Sequence, residues 1–460
     1  MLHEMNVTAI LRRALAGGGE FADIYFEEGS STSVVCEDGK IERVLAGTDR
    51  GVGIRVISDL RTAYAYTNEI SEKALLALAD TVSRAVRGKA FDRAIAMGPL
   101  VTGAGFPIET PPDGVPLGEK VALVNRADQA ARKFSNKIKQ VMVVYRDSRT
   151  NTQIANSLGE FIENARTGTL LVTQVVAADD GQIQTGYEPL GRFQGFEIFR
   201  ERSPEEIALA AARRATMMLA ARKAPGGLMP VVLSSEAGGT MVHEAIGHGL
   251  EADLAQSGMS VYTGKVGTQV ASPLVTVIDD ATIPNARGSF SFDDEGTPAQ
   301  RTVLVENGIL KGYLYDRLSA MKDGCASTGN GRRESYHAKP IVRMTNTMIA
   351  PGTTPPNEIV SGVERGLFVR KMGGGQVNTV NGDFVFEVSE GYLIENGTVG
   401  EPVRGATLTG NGPEVLQKIV QVGSDLGFGI GTCGKDGQGV PVSDAQPTLL
   451  ISEITVGGAA

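Results

Sequence analysis

The stretch from Thr240 to Glu251 constrains the fold most, because it holds two of the four histidines in a chain of 460 residues. His243 and His248 are five residues apart, and Glu244 directly follows the first of them. An ordinary α-helix turns ~100° per residue, so it would rotate the second ring roughly 140° away from the first. A π-bulge, with its i→i+5 hydrogen bond, brings the two rings together and is common at functional sites. The sequence therefore predicts a π-bulge here, or a helix that ends at His248.

The same stretch carries residues suited to hydrolysis. Two imidazoles can bind a divalent metal ion, and a neighbouring carboxylate such as Glu244 can accept a proton from water. Gly247 and Gly249 flank His248, which makes a distortion of the helix inexpensive. The spacing is HExxxH and differs from the i, i+4 spacing of zincins. Two unrelated histidines on a buried helix therefore stay an alternative to a metal site.

A catalytic zinc site needs a third protein ligand, and four residues outside the histidine pair are candidates. Glu251 and Asp253 follow the pair closely, but a carboxylate so near more often orients a ligand than binds the ion. His337 lies in a basic polar loop, where a solvated surface histidine is the simpler interpretation. Cys433 lies in the glycine-rich run 427–439, where the backbone would let a thiolate approach an ion. A small buried hydrophobic role is the alternative for this cysteine.

Charge and cysteine content exclude several classes of protein. A formal net charge of −9 repels nucleic acid and anionic membrane surfaces. No apolar run approaches the ~20 residues that span a bilayer, and the N-terminus does not have the pattern of a secretion signal. Three widely spaced cysteines do not form a disulfide framework. We therefore expect a cytoplasmic protein with no nucleic-acid or membrane partner.

The chain is too long for a single core, and its patterns predict three segments. The first, residues 1–95, has the order helix, antiparallel meander, helix. Asp38-Gly39 is a strong hairpin signal, and Ser71 is a plausible N-cap for a helix over residues 71–86. Short strands are predicted at residues 22–27, 33–37, 41–46, 52–57 and 62–66.

The second segment, residues 110–224, follows a proline-rich linker over residues 88–116 and repeats the same order of elements. Its last helix, residues 203–223, begins with a capping box formed by Ser203 and Glu206. No residue-level repeat relates the two units, so we infer no duplication. A helix is predicted at residues 117–134, and strands are predicted at residues 139–146, 152–155, 160–166, 169–177 and 182–187.

The third segment, residues 228–460, is rich in short strands and contains the histidine helix. Asn307-Gly308 and Asn396-Gly397 are hairpin turns between predicted strands. The predicted fold class is α+β. It consists of two N-terminal helix/antiparallel-sheet units followed by a β-rich C-terminal domain that carries the metal-binding helix.

Several motifs together resemble the TldD/PmbA family of metalloproteases, and specifically its TldD-type, metal-motif-bearing subunit. The resemblance covers nearly the whole chain, and the combination of an HExxxH helix with a distal Gly-Cys-Gly loop is its most specific part. The motifs lie at residues 241–251, 331–336, 343–347, 372–377, 433–435 and 440–442.

The resemblance implies that His243, His248 and Cys433 bind one zinc ion per chain and that Glu244 is the general base. It also implies cytoplasmic hydrolysis of peptide bonds in small or unfolded peptides, including maturation of modified peptide antibiotics. A TldD-type subunit would pair with a PmbA/TldE-type subunit that lacks the metal motif, enclosing the site in a shared chamber. A homodimer is the alternative to that heterodimer.

Two other functions fit part of the same pattern. A deformylase-like amidase also binds its metal through two histidines and a cysteine, although the motif spacing and the chain length differ. A non-catalytic, metal-stabilised scaffold or regulatory partner subunit is the alternative outside enzymes. Glu244 argues against the scaffold, because a structural metal site has no use for a base.

Overall fold

A computed structural model of the protein describes residues 2–88 and 93–458. The N-terminal half contains α1 (Val7–Ala14), β1 (Phe21–Glu37), β2 (Lys40–Ser58), β3 (Arg61–Thr67), α2 (Glu72–Ala85), β4 (Leu100–Thr102), α3 (Leu117–Phe134), β5 (Ile138–Asn156), β6 (Phe161–Asp179), β7 (Gln182–Arg192), α4 (Ile198–Glu201) and α5 (Pro204–Ala220).

The rest of the chain consists mostly of strands, among which short helices are placed. It contains β8 (Arg222–Lys223), β9 (Gly227–Leu233), α6 (Thr240–Val242), α7 (Ala252–Gln256), β10 (Val277–Asp280), β11 (Arg301–Glu306), β12 (Ile309–Leu310), α8 (Arg317–Asp323), β13 (Gly331–Arg332), β14 (Ile341–Val342), β15 (Asn346–Ile349), α9 (Pro356–Ser361), β16 (Arg365–Val377), β17 (Asp383–Glu395), β18 (Thr398–Arg404), β19 (Thr407–Asn411), α10 (Gly412–Gln417), β20 (Ile419–Val422), β21 (Gly427–Lys435), β22 (Gln438–Gln446) and β23 (Leu449–Gly457). The chain is therefore of mixed α and β structure, as predicted.

Four strands are much longer than the sequence predicted, because each joins two strands that were predicted separately. The strands predicted at residues 22–27 and 33–37 are the two ends of β1, and β2, β5 and β6 join predicted strands in the same way. The middle of β1 is only half-buried, whereas both of its ends are buried. The hydrophobic pattern is interrupted there because the middle of the strand lies between two separate hydrophobic cores.

The two N-terminal units share one sheet. Its seven strands have the order β3-β2-β1-β5-β6-β4, and β7 also pairs with β6. Antiparallel pairing of β1 with β5 joins the units, and β4, inside the proline-rich linker, pairs with β6. Helices α1 and α2 pack on one end of the sheet, and α3 and α5 pack on the other end. The sequence did not predict this union, because pairing between such distant strands has no local signature.

The C-terminal part contains two larger sheets around one core. One sheet has the order β12-β11-β10-β15-β22-β21, and the other has the order β16-β9-β23-β19-β17-β18-β8, with β20 on β23. The largest hydrophobic core contains side chains of both sheets. Met241, Val242, Ala245 and Ile246 belong to this core. The histidine helix is therefore held between the two sheets by its apolar side chains.

Local sequence signals for turns and helix ends are confirmed. The Ser71 side chain caps α2, and Ser203 with Glu206 forms the predicted capping box of α5. Asn307 and Asn396 have positive φ values of 50° and 49° at the predicted hairpins. These signals succeed because each depends on a few neighbouring residues.

A buried ion-pair group connects the N-terminal sheet to the C-terminal part. Arg55 of β2 pairs with Asp23 of β1 and, at 2.6 Å, with Glu295 of the loop before β11. All three side chains are at most 1% exposed.

Within the described ranges, no helix combines the length and apolar character that crossing a bilayer requires.

Candidate metal centre

The predicted π-bulge is present in the histidine helix. The helix begins with α6, continues as a π-helix over His243–Gly247 and ends in a 3₁₀ turn over His248–Leu250. The ring centroids of His243 and His248 lie 5.0 Å apart. The wider turn therefore places two imidazoles at i and i+5 on the same side of the helix.

The glycines beside His248 are required by packing. Gly247 has an ordinary helical φ of −54°, so its backbone does not need a glycine. A Cβ atom at this position would collide with the Met344 sulfur, and one at Gly249 would lie 2.6 Å from the ring of Tyr262. The sequence suggested that the glycines make a distortion inexpensive. Their observed role is to let the helix approach its neighbours closely.

Strand β21 brings Cys433 to the two histidines. The potential ligand atoms of His243, His248 and Cys433 all lie within 4.8 Å of one another. The Cys433 Sγ is 3.5 Å from the His248 Nε2. The Nδ1 atom of His243 is buried and has no protein hydrogen-bond partner. The side chains of His243, His248 and Cys433 together form a donor set that can hold a metal ion.

Glu251 orients His248 instead of joining the three donors. Its Oε2 atom lies 3.1 Å from the His248 Nδ1 and 3.1 Å from the Lys435 Nζ. Burial opposes ionisation of Glu251, but the charges of His248 and Lys435 outweigh burial and lower its pKa to about 2. An ionised carboxylate on Nδ1 leaves the His248 Nε2 facing Cys433.

The structure separates the two remaining third-ligand candidates from the donor group. Asp253 pairs with Lys435 Nζ at 2.7 Å. His337 is exposed, and its ring contacts the rings of Tyr336 and Tyr66 at centroid distances of 4.1 and 5.0 Å. Among the described residues, the only group of three or more His, Cys, Asp or Glu donors close enough to share an ion is the His-His-Cys group.

The environment of Cys433 favours a thiolate. Burial raises the pKa of the thiol, but hydrogen bonds and charge from His243 and His248 outweigh burial and lower the pKa to about 5. Burial alone would lower the pKa of His243. The interaction with Cys433 outweighs burial, so the pKa of His243 is raised. A thiolate is the form of cysteine that binds metal ions.

Glu244 faces a cavity of about 730 Å³ that also contains the three donors. Residues 374–377 of β16 and residues 430–435 of β21 form much of its wall. Burial raises the pKa of the Glu244 carboxyl group. A second cavity of about 880 Å³, between β7, β16 and β21, shares Thr240, Gly374 and Ile430 with the first. The carboxylate therefore lies beside the donors, next to space for a ligand.

Sequence reasoning did not identify two positively charged side chains, Arg343 and Lys435, that contact residues of the candidate metal centre. The buried Arg343 side chain donates hydrogen bonds to the Cys433 carbonyl and, at 3.1 Å, to the Gln438 carbonyl. Lys435 neutralises Glu251 and Asp253. Both residues lie in stretches that carry the family resemblance, but nothing in their local pattern predicts a contact with Cys433 or Glu251.

Three family models match successive parts of this chain. They describe PmbA/TldA metallopeptidase domain 1, central domain and C-terminal domain, and they match residues 22–96, 110–219 and 226–458. A metalloprotease TldD homolog of Haemophilus influenzae is 40% identical over 455 residues, covering 95% of this chain and 93% of that protein. One from Buchnera aphidicola (subsp. Acyrthosiphon pisum) is 37% identical, covering 99% and 96%.

Solved structures agree with these sequence matches. One from Thermotoga maritima superposes with a TM-score of 0.78 at 25% identity and covers 95% of this chain and 96% of that one. TldE from Thermococcus kodakarensis superposes with a TM-score of 0.75 at 18% identity, covering 98% and 99%, and shows a shared fold. A metallopeptidase family implies a metal, which matches the presence of the His-His-Cys group. The chain belongs to the PmbA/TldD family of metallopeptidases.

Proposed function

We propose that this chain is a zinc-dependent metallopeptidase that hydrolyses peptide bonds in small or unfolded peptides. His243, His248 and Cys433 are the zinc ligands, one ion per chain, and Glu244 is the general base. The observation that carries the proposal is the convergence of three donors within 4.8 Å beside Glu244 in one cavity. Relatives named metalloproteases, similar over nearly the whole chain, support it. All four residues lie in the proposed third domain, residues 228–460.

The donor set fits zinc. Zinc binds imidazole nitrogen at ~2.0–2.1 Å and thiolate sulfur at ~2.3 Å, so tetrahedral geometry places the two atoms roughly 3.6 Å apart. The separation between Cys433 Sγ and His248 Nε2 is 3.5 Å. Imidazole and thiolate are also the ligand types that zinc prefers. Three protein ligands leave one coordination position for water or substrate, as catalytic zinc sites require.

The proposed chemistry divides between the ion and the protein. Zinc supplies Lewis acidity, which polarises a peptide carbonyl and makes water more acidic. The Glu244 carboxylate accepts the proton of the attacking water and then delivers it to the leaving amine. Its burial raises its pKa, which strengthens it as a proton acceptor. Glu251 and Arg343 hold His248 and the Cys433 backbone in place.

We infer the substrate class from the strand that carries Cys433, and the partners from the family to which the chain belongs. Cys433 lies on β21, an edge strand of its sheet, and an extended peptide can add to such an edge through main-chain hydrogen bonds. That mode of binding requires no particular sequence, which suits small or unfolded peptides. A PmbA/TldE-type subunit or a second copy of the chain would complete a cytoplasmic dimer. No nucleic-acid or membrane partner is proposed.

Removing the charge on Glu251 should weaken zinc binding. We expect Glu251→Gln to raise the Kd for Zn²⁺ about 10–100-fold, because an uncharged amide polarises His248 less than a carboxylate does. Competition with a chromophoric chelator measures this Kd directly. Asp253→Asn is the matched control, since Asp253 contacts Lys435 without contacting either histidine. An unchanged Kd in Glu251→Gln would contradict the orienting role of this carboxylate.

Mass spectrometry of products tests the proposed reaction. We expect the zinc-loaded protein to cleave an unfolded peptide internally, giving two fragments whose masses sum to that of the peptide plus one water. A deformylase-like amidase would instead remove a formyl group from an N-formylated peptide and leave the chain intact. A stoichiometrically loaded protein that cleaves no component of a diverse peptide mixture would support the scaffold alternative and refute the peptidase.

A further inference from the structure

A cleft of about 680 Å³ lies between the N-terminal sheet and the β21–β22 hairpin. One wall consists of residues of β1, β2, β5 and β6, and the opposite wall includes Arg287, Thr432, Gly439 and Pro441. Ligand sites typically have volumes of ~300–1,000 Å³ and often lie where two structural units meet. We call this space the arginine cleft, because three arginines line it.

The three arginines lie on both walls of the arginine cleft. Arg43 of β2 and Arg146 of β5 belong to the sheet wall, whereas Arg287, in the loop between β10 and β11, belongs to the opposite wall. In the sheet, Arg43 pairs with Val35 of β1, and Arg146 pairs with Ser33. Positions two residues apart on a strand share a face, so both arginines are on the same face of the sheet. Positive charge therefore approaches the cleft from two sides.

These positive charges are not neutralised by the protein. Within residues 2–88 and 93–458, none of the three arginines forms an ion pair. The Asp147 carboxylate also lines the cleft, but it pairs with the buried Lys120 at 2.6 Å. Burial lowers the pKa of the Arg287 guanidinium, and repulsion from Arg146 lowers it further. An anion bound between these two side chains would replace their repulsion by attraction.

Strand β21 connects the arginine cleft to the candidate metal centre. Thr432 lines both the cleft and the metal cavity, and it directly precedes Cys433. The Arg287 Nε donates a hydrogen bond of 3.4 Å to the Gly431 carbonyl of the same strand. Side chains of a strand point alternately to its two faces, so a peptide added to the edge of β21 would direct every second side chain toward the face of Thr432. Those side chains would point toward the cleft.

Carboxylate groups of a peptide fit this arrangement. Guanidinium groups bind carboxylates through paired N–H donors, and arginines on two walls can bind more than one carboxylate of the same chain. The formal net charge of −9 would otherwise repel an acidic peptide. A local group of arginines without acidic partners overcomes that repulsion where the peptide is bound.

We propose that the arginine cleft binds carboxylate groups of the peptide substrate and gives the peptidase a preference for acidic peptides. Arg146 and Arg287 bind the carboxylates from opposite walls, and Arg43 adds a third positive charge. The carboxylates belong either to Asp and Glu side chains or to the C-terminus of the peptide. The inference rests on the proposed function, but the cleft contains none of the three metal donors.

Binding without cleavage tests the preference. Two peptides are identical except for Glu or Gln at three alternate positions, and both have an amidated C-terminus and an uncharged fluorophore. Fluorescence anisotropy measures the Kd of each peptide for the zinc-loaded Glu244→Gln protein. We expect the Glu peptide to bind about tenfold or more tightly than the Gln peptide, because hydrogen bonds between charged groups contribute at least that factor.

Arginine variants locate the site. Added to Glu244→Gln, either Arg146→Gln or Arg287→Gln should remove most of the advantage of the Glu peptide. Arg287→Lys should retain part of it, because the charge stays while the paired donors are lost. Arg146 is exposed, so its replacement should not prevent folding. Arg61→Gln changes an exposed arginine of β3 outside the cleft and is the control that should retain the whole advantage.

A third peptide, with Gln at the same positions and a free C-terminus, distinguishes the two sources of carboxylate. Tight binding of this peptide, lost in Arg146→Gln, would assign the cleft to the terminal carboxylate. Equal Kd values for all three peptides, or an advantage that survives both arginine-to-glutamine replacements, would overturn the proposal. Cleavage by the wild type is measured separately. A protein that shows the preference but cleaves none of the peptides would refute the peptidase and not the carboxylate site.

Discussion

Replacing Glu244 with glutamine is expected to lower kcat/KM for peptide hydrolysis about 10²–10⁴-fold while one zinc ion per chain remains bound. General acid–base catalysis contributes an effect of about that size, and an amide cannot accept the proton. The substitution preserves side-chain shape, and Glu244 is adjacent to the three donors without being one of them. The zinc content should therefore stay constant while the rate of peptide hydrolysis falls.

The experiment combines a fluorogenic peptide assay with metal analysis of the same sample. Glu306→Gln is the matched control, because Glu306 is an exposed glutamate on β11 that pairs with Lys311 at the surface. We expect its rate and zinc content to equal those of the wild type. A Glu244→Gln protein with nearly full activity would refute the assigned base. A variant that loses its metal would instead show that Glu244 helps to hold the ion.

Local chemistry made much of the fold predictable. The sequence predicted a π-bulge or a helix end at His248, because two histidines at i and i+5 can face one ion only where the α-helix is distorted or ends. The N-cap of α2, the capping box of α5 and the Asn-Gly hairpins each depend on a few adjacent residues. The long strands and the shared seven-stranded sheet were not predictable in this way. β1 pairs with β5 across more than a hundred residues, and no local pattern records that pairing.

The candidate metal centre was predictable only in part, for the same reason. Its histidines and glutamate are adjacent in sequence, so their proximity could be predicted. The residues alone left four candidates for the third donor. Tertiary contacts distinguish these candidates. The Glu251 carboxylate already contacts His248 and Lys435, whereas Cys433 lies on an edge strand far along the chain that packs beside the histidines. The support from Arg343 to the Cys433 carbonyl depends entirely on tertiary structure.

Removing the sulfur of Cys433 is expected to abolish stoichiometric zinc binding. We expect Cys433→Ser to raise the Kd for Zn²⁺ more than about 100-fold, because loss of a direct ligand should exceed the 10–100-fold cost of losing a residue that merely orients one. Serine is close in size, so the β21–β22 hairpin should keep its structure. Cys325→Ser makes the same chemical change at an exposed position and is the control.

Metal content of purified wild type, Cys325→Ser and Cys433→Ser, measured by inductively coupled plasma mass spectrometry after identical dialysis, tests the central claim most directly. The proposed ligand set predicts one zinc ion per chain in the first two proteins and almost none in Cys433→Ser. Cobalt-loaded wild type should also show a thiolate-to-metal charge-transfer band that Cys433→Ser does not show. A Cys433→Ser protein that keeps one ion per chain with the wild-type Kd would contradict the claim that this thiolate and the two imidazoles share one metal.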